Sequence, residues 1–203
     1  MRRRRSRFAA AATVLLAVSL AGCGAQHPIV PDGHQLLFGK FAGYSEYGRT
    51  RAIAADWWVP SISRSSGTGV AGTWIGEQAD GLVQTATPFI QVGVNEIRAY
   101  VPQVGRIVTA YYAFWSDTAL QFHPRPLFAV QPGDRISASM AQHDGHWSVA
   151  IADLTSHVSR RFTTAQDANA SFSVAEWAQE DLTDAHNQKP LQYPERATFA
   201  LPA

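Results

Sequence analysis

The stretch Phe172-Ser173-Val174-Ala175-Glu176-Trp177-Ala178-Gln179-Glu180-Asp181 reads as a β-strand by its two-residue alternation. One face then carries Phe172, Val174, Glu176 and Ala178, and the other carries Ser173, Ala175, Trp177 and Gln179. A carboxylate therefore shares a strand face with apolar side chains and stands beside a tryptophan. Burying a charged group costs free energy unless it is paired, so an acid in this position asks for a reason.

Other short runs rich in β-branched and aromatic residues lie on either side of it. They are "ADWWVP" from Ala55, "AGTWIGE" from Ala71, "PFIQVGVN" from Pro88, "IVTAYYAFW" from Ile107, "PLFAVQ" from Pro126, "RISASMAQ" from Arg135, "HWSVAIADL" from His146, "SRRFTTA" from Ser159 and "RATFALP" from Arg196. Their spacing and their Gly, Pro, Asp and Ser punctuation predict an all-β fold, an antiparallel β-sandwich of two sheets, rather than βαβ units. Asp144-Gly145 between two such runs predicts a tight hairpin, and Pro132-Gly133-Asp134 predicts a second turn. No segment carries a helical period, and neither a repeat nor a second domain is visible.

The beginning of the 203-residue chain reads differently. "MRRRRSRF" is a basic segment, "AAAATVLLAVSLAG" an apolar run too short to span a bilayer comfortably, and the single cysteine, Cys23, follows. "LAGC" resembles the lipobox of bacterial lipoproteins. The expectation is a signal peptide over 1–22, lipidation of Cys23, a turn-rich tether over 23–35 and one domain over 36–203, held outside the cytoplasm on the cell membrane. Five of the 17 Lys and Arg lie in the basic segment, leaving 12 against 16 Asp and Glu from Cys23 onward, a net −4. Nothing in that balance points to a nucleic-acid groove. With its one Cys used for lipid, the domain would have no disulfide, no thiol nucleophile and no Cys-based zinc site.

The sequence holds no HExxH, no phosphate-binding glycine loop and no GxSxG elbow. His143 and His146 flank the Asp-Gly turn and read as a solvated hairpin tip, and His123 reads as a loop residue. No metal and no cofactor are expected. In "PFIQVGVN", Ile90, Val92 and Val94 alternate onto one face, and Gln91 joins Phe89 and Gly93 on the other. A primary amide offers both donor and acceptor, and Gly93 would leave room for a ligand backbone to approach.

"FIQVGV" followed 85 positions later by "AEWAQED" resembles the glutamic peptidases, the eqolisin family. "GKFAGY", "ADWWVPSI", "TWIG", "AYYAFWSD", "VQPGDRI" and "RATFALP" resemble further family segments in the same order, from about Gly39 to the end. The resemblance implies a sandwich of two long antiparallel sheets and an acid-acting endopeptidase whose catalytic pair is Gln91 and Glu176. Gln84 in "LVQTAT" is a weaker competitor for the glutamine. Trp74 matches a tryptophan that lines the family's cleft, and Tyr111, Tyr112, Trp115 and Asp80 are the further candidates for substrate binding. Glu176 would move a proton from water to the leaving nitrogen, aided by a pKa raised through desolvation, and the Gln91 amide would donate to the oxyanion. The partners implied are a polypeptide substrate and, through Cys23, a membrane, with the protein a monomer. Three departures bear on rate: Ala113 stands where the family's aromatic strand carries Glu, Gln78 or Asp80 where it carries Asp, and Phe41 where it carries Trp. The alternative is a catalytically impaired sandwich that binds peptide or carbohydrate.

Overall fold

A computed structural model describes residues 34–37, 41–63, 68–79, 88–119, 123–165 and 171–181. Cys23, Asp80, Gln84 and the run "RATFALP" lie outside the described residues. Eleven strands are described: β1 His34–Leu37, β2 Phe41–Tyr47, β3 Ala52–Trp58, β4 Gly69–Ala79, β5 Phe89–Val101, β6 Arg106–Asp117, β7 Arg125–Ala129, β8 Arg135–His143, β9 His146–Asp153, β10 Val158–Thr164 and β11 Phe172–Asp181. β1 begins two residues inside the expected tether. A single 3-10 turn, Pro102–Val104, joins β5 to β6 and closes on Gly105 at φ +64°, a left-handed conformation open to glycine.

The strands form two antiparallel sheets. The larger has the order β1-β2-β11-β4-β5-β6-β7 and the smaller β10-β9-β8-β3. Alternation decides what lies between them. Ile75, Ile90, Val92 and Val94 from the large sheet meet Ile53, Trp57, Ile136, Met140, Trp147, Val149 and Ile151 from the small one, all of them buried. Apolar surface removed from water at this density is the main stabilising term of such a sandwich. A second, smaller cluster of Trp74, Phe114 and Ala178, with Phe89 and Tyr112 against it, sits on the opposite face of the large sheet.

The two predicted turns form. Asp144 and Gly145 both have positive φ, 47° and 74°, between paired His143 and His146, which matches the twist of the flanking strands. Gly133 at φ +87° lets the Pro132-Gly133-Asp134 turn donate to the Val59 carbonyl at 2.9 Å. One expectation fails at the start of β11. The register slips between Phe172 and Val174, and a bulge of this kind moves one residue to the other face. Phe172 thereby leaves the Glu176 face and packs edge-on against Trp147 in the core, ring centres 4.9 Å apart.

Candidate active site

The pairing register brings the two catalytic candidates into one row. Glu176 on β11 lies opposite Gly76 on β4, Gly76 opposite Gln91 on β5, and Gln91 opposite Ser116 on β6. On the far side Glu176 faces Ser45 of β2. Directly opposed residues share a face, so all five present to the side away from the small sheet. Glu176 and Gln91 are two strand spacings apart, about 10 Å between their Cα atoms, and stand on either side of the bare backbone at Gly76.

That gap is walled by rings. A Cβ placed on Gly76 would lie 2.9 Å from Trp74 Cζ3 and 3.1 Å from two Phe89 ring carbons. The two rings meet edge to face with centroids 5.6 Å apart. The two rings lie over the bare backbone, so a side chain at position 76 would have to displace them.

Each polar head is held. Gln91 Nε2 donates to Ser116 Oγ at 2.8 Å, which fixes one amide hydrogen and leaves the other to point elsewhere. Gln91 is 8 % exposed and Glu176 7 %. Burial pushes the Glu176 carboxyl up to about 7, against a smaller opposing pull from the Ser45 hydroxyl, which lies near it without completing a hydrogen bond of ordinary geometry. Tyr47, on the same face next to Val174, has its phenol raised first by burial and then by the Glu176 charge. Its ring therefore lies within electrostatic reach of the acid.

The remaining candidates divide by parity. Tyr112 is on the Glu176 face, half-buried, and its hydroxyl accepts from Asn95 Nδ2 at 3.2 Å. Trp74 is there too, with its Nε1–H donating to Glu180 Oε2 at 3.3 Å. Tyr111 and Trp115 are not. Both point into the core between the sheets, where the Tyr111 hydroxyl accepts from the Ile62 N–H at 2.9 Å and Trp115 packs on Phe162 at 4.9 Å. One residue of parity separates Tyr111 from Tyr112, and only the β5–β6 register decides which one faces the acid. Ala113 is likewise core. Trp177 also points inward, and its indole N–H donates to the Ala54 carbonyl at 3.1 Å.

Gly93 has a role other than the expected one. A Cβ there would lie 2.3 Å from the Thr73 carbonyl oxygen and 2.5 Å from Trp74 Cβ. The space it leaves is filled by Trp74 and its backbone, not by a ligand.

Four neighbours escaped the sequence reading: Ser45, Tyr47, Gly76 and Ser116. Their only signal is cross-strand register. A fifth lies behind the site. Glu77, next to Gly76 but on the core face, is fully buried. Thr50 Oγ1 donates to its Oε2, and its Oε1 has no partner. Burial, partly offset by the Thr50 bond and reinforced by the charges of Glu176 and Glu46, pushes its carboxyl up to about 7. Among the described residues no three His, Cys, Asp or Glu converge as metal ligands would.

An antiparallel sandwich with an acid and an amide aligned on one sheet face is the architecture of a class of peptidases. The model of that class described as the Peptidase A4 family matches residues 39–200, and the chain belongs to this family, the eqolisins or glutamic peptidases. Solved structures with the same fold include scytalido-glutamic peptidase with a peptide-based transition-state analogue, at 20 % identity and a TM-score of 0.54 over 79 % of this chain and 74 % of that one. They also include SCP-B of the eqolisin family in complex with the tripeptide Ala-Ile-His, at 22 % identity and 0.52 over 79 % and 73 %. No curated protein sequence matches this one.

Proposed function

We propose that the protein is an acid-acting endopeptidase in which Glu176 is the general base and Gln91 the oxyanion donor. The observation that carries this reading is the single row Glu176–Gly76–Gln91–Ser116. A peptide carbonyl seated over Gly76 would meet the carboxyl on one side and the amide on the other. Glu176 takes a proton from the attacking water, the oxygen attacks the carbonyl carbon, and the same proton passes to the leaving nitrogen as the C–N bond breaks. The second Nε2 hydrogen of Gln91 meets the oxyanion, while the first stays on Ser116. A carboxyl held near 7 is about one part in a hundred ionised at pH 5. The ionised minority acts as the base, and the raised affinity for a proton makes it a stronger one.

The substrates of this reading are polypeptides. We propose further that the chain is exported and anchored to the membrane through Cys23, so that cleavage takes place outside the cytoplasm. The test is hydrolysis of denatured casein from pH 2 to 7 with pepstatin present. Glu176→Gln should abolish acid-dependent cleavage. Gln91→Ala should lower kcat by about 10²–10³, the loss that follows removal of one oxyanion donor. Cleavage unaffected by Glu176→Gln would refute the assignment. Peptide binding without cleavage at any pH would identify a binding sandwich instead.

A further inference from the structure

The β5–β6 hairpin reaches beyond its neighbours. β4 pairs with β5 only as far as Arg98, and β7 pairs with β6 only from Tyr112 onward. Past those points Ala99 pairs with Val108, Tyr100 with Ile107 and Val101 with Arg106, and the Pro102–Val104 turn closes the end. A two-stranded ribbon, about 10 Å of strand plus its turn, therefore stands clear of the other strands of the large sheet.

Both faces of this ribbon are apolar. Tyr100 and Ile107, directly opposed, are 58 % and 44 % exposed, and Val104 in the turn is 55 % exposed. The other face carries Ala99, Val101 and Val108, all half-buried. A ribbon in water ordinarily keeps its apolar residues on one face and its polar residues on the other. Docking of a protein would account for one apolar face, and immersion in an apolar medium accounts for both. The charge is one-sided as well. From Ile97 to Ser116 the chain holds Arg98 and Arg106 and no Asp or Glu. Arg98 lies at the base and donates to Thr109 Oγ1 at 3.4 Å, whereas Arg106 is exposed beside the turn.

We propose that the β5–β6 ribbon dips into the interfacial layer of a lipid bilayer that bears anionic headgroups. Val104 and Ile107 enter the boundary between headgroups and acyl chains. Tyr100 sits at headgroup level, where an amphipathic ring finds both its surroundings. The Arg106 guanidinium meets the phosphates while its stem lies along the apolar residues. Insertion is shallow. Each strand of the ribbon has an outer edge with no strand beside it among the described residues, and open backbone edges are not tolerated in hydrocarbon. The inference uses neither the peptidase reading nor lipidation of Cys23.

The test uses the whole chain carrying Cys23→Ser, with a single cysteine introduced by Gln103→Cys and labelled with an environment-sensitive fluorophore. Vesicles are made of phosphatidylcholine alone or of equal parts phosphatidylcholine and phosphatidylglycerol. A second labelled chain, carrying His143→Cys on the β8–β9 turn instead, controls for binding through the apolar run near the N-terminus. The probe at position 103 should shift to the blue and be quenched by nitroxide-labelled lipid, and the probe at position 143 should not. Val104→Ser with Ile107→Ser should weaken the partitioning read at position 103 by about tenfold or more. Arg106→Gln should weaken it about fivefold on the anionic vesicles and leave it unchanged on the neutral ones. Melting temperatures equal to the parent's report that the variants are folded. No shift at position 103, an equal shift at position 143, or a shift that survives Val104→Ser with Ile107→Ser overturns the proposal. So does a shift without vesicles, on raising the protein concentration or on adding casein, because a second copy or a polypeptide would then cover the ribbon.

Discussion

Replacing Glu77 by glutamine should flatten the pH dependence of stability. The carboxyl is fully buried, with Oε2 on Thr50 and Oε1 unsatisfied, and burial raises it from 4.5 to about 7. A raised folded-state value means that the folded protein holds the proton more tightly than the unfolded chain. The resulting stabilisation is complete below about pH 4.5 and is lost as pH rises through 7. A shift of about 2.5 units at 1.36 kcal/mol each makes the loss about 3 kcal/mol. Glu176 shifts over the same range and contributes a loss of similar size. The protein should therefore be several kcal/mol less stable at pH 8 than at pH 4, a large share of the stability of an ordinary domain. Glu77→Gln cannot ionise and keeps an acceptor for Thr50, so it should lose only about half as much. Urea unfolding followed by tryptophan fluorescence at pH 4, 5, 6, 7 and 8 measures this. Equal pH slopes in the two proteins, at equal m-values, would show that Glu77 is not the titrating group.

Two glycine substitutions separate the site from its support. Gly76→Ala puts a methyl group against the flexible ends of Trp74 and Phe89. It should cost about 1–2 kcal/mol of stability but about a hundredfold in kcat/KM, read from peptide hydrolysis beside a thermal melt, and activity near that of the unaltered chain would mean that the gap over Gly76 is not where the carbonyl sits. Gly93→Ala drives a Cβ into the Thr73 carbonyl and the Trp74 backbone, which cannot swing aside. It should destabilise by about 3 kcal/mol or more, with a melting temperature equal to the parent's showing that the β4–β5 approach is looser than described.

The parts of this fold that alternate cleanly were legible in the sequence. Ile90, Val92 and Val94 mark one face of β5, so Gln91 had to be on the other, and the same holds for Glu176 in β11. β2 was not legible as a strand. It reads Phe-Ala-Gly-Tyr-Ser-Glu-Tyr, without apolar alternation, because its place in the sheet is secured by pairing with β1 and β11 rather than by a buried face of its own. Ser45 was lost to view with it. The bulge that turns Phe172 inward has no local marker, since no glycine or proline stands there. Tyr111 and Trp115 read as cleft candidates because aromatic rings suit apolar subsites, but both lie in the core. Period two fixes that they oppose Tyr112 but does not say which parity faces which side, and a register is a property of two strands. Glu77 was invisible for a related reason. An acid next to the acid-bearing row looks like part of the site until the strand is seen edge-on.

The two raised acids stand back to back across one strand pair, Glu176 over Gly76 on one face and Glu77 opposite Ala175 on the other. The charge of Glu176 adds to the rise at Glu77, so ionising the Glu176 carboxyl makes the core carboxyl harder to ionise, and both titrate in the same window. This places catalysis and folding in opposition. A base is more abundant as pH rises toward 7, and over the same interval the sandwich gives up its acid-dependent stability. An acid optimum then needs no catalytic group tuned to low pH. On the proposed mechanism the rising limb is set by Glu176, and the pH dependence of stability predicts that the falling limb is set by the fold. Glu77→Gln should carry the upper edge of the activity profile toward neutral pH, and the loss of the coupled carboxyl should move the lower limb slightly toward lower pH. An upper edge that stays in place would assign that limb to the chemistry of the site itself.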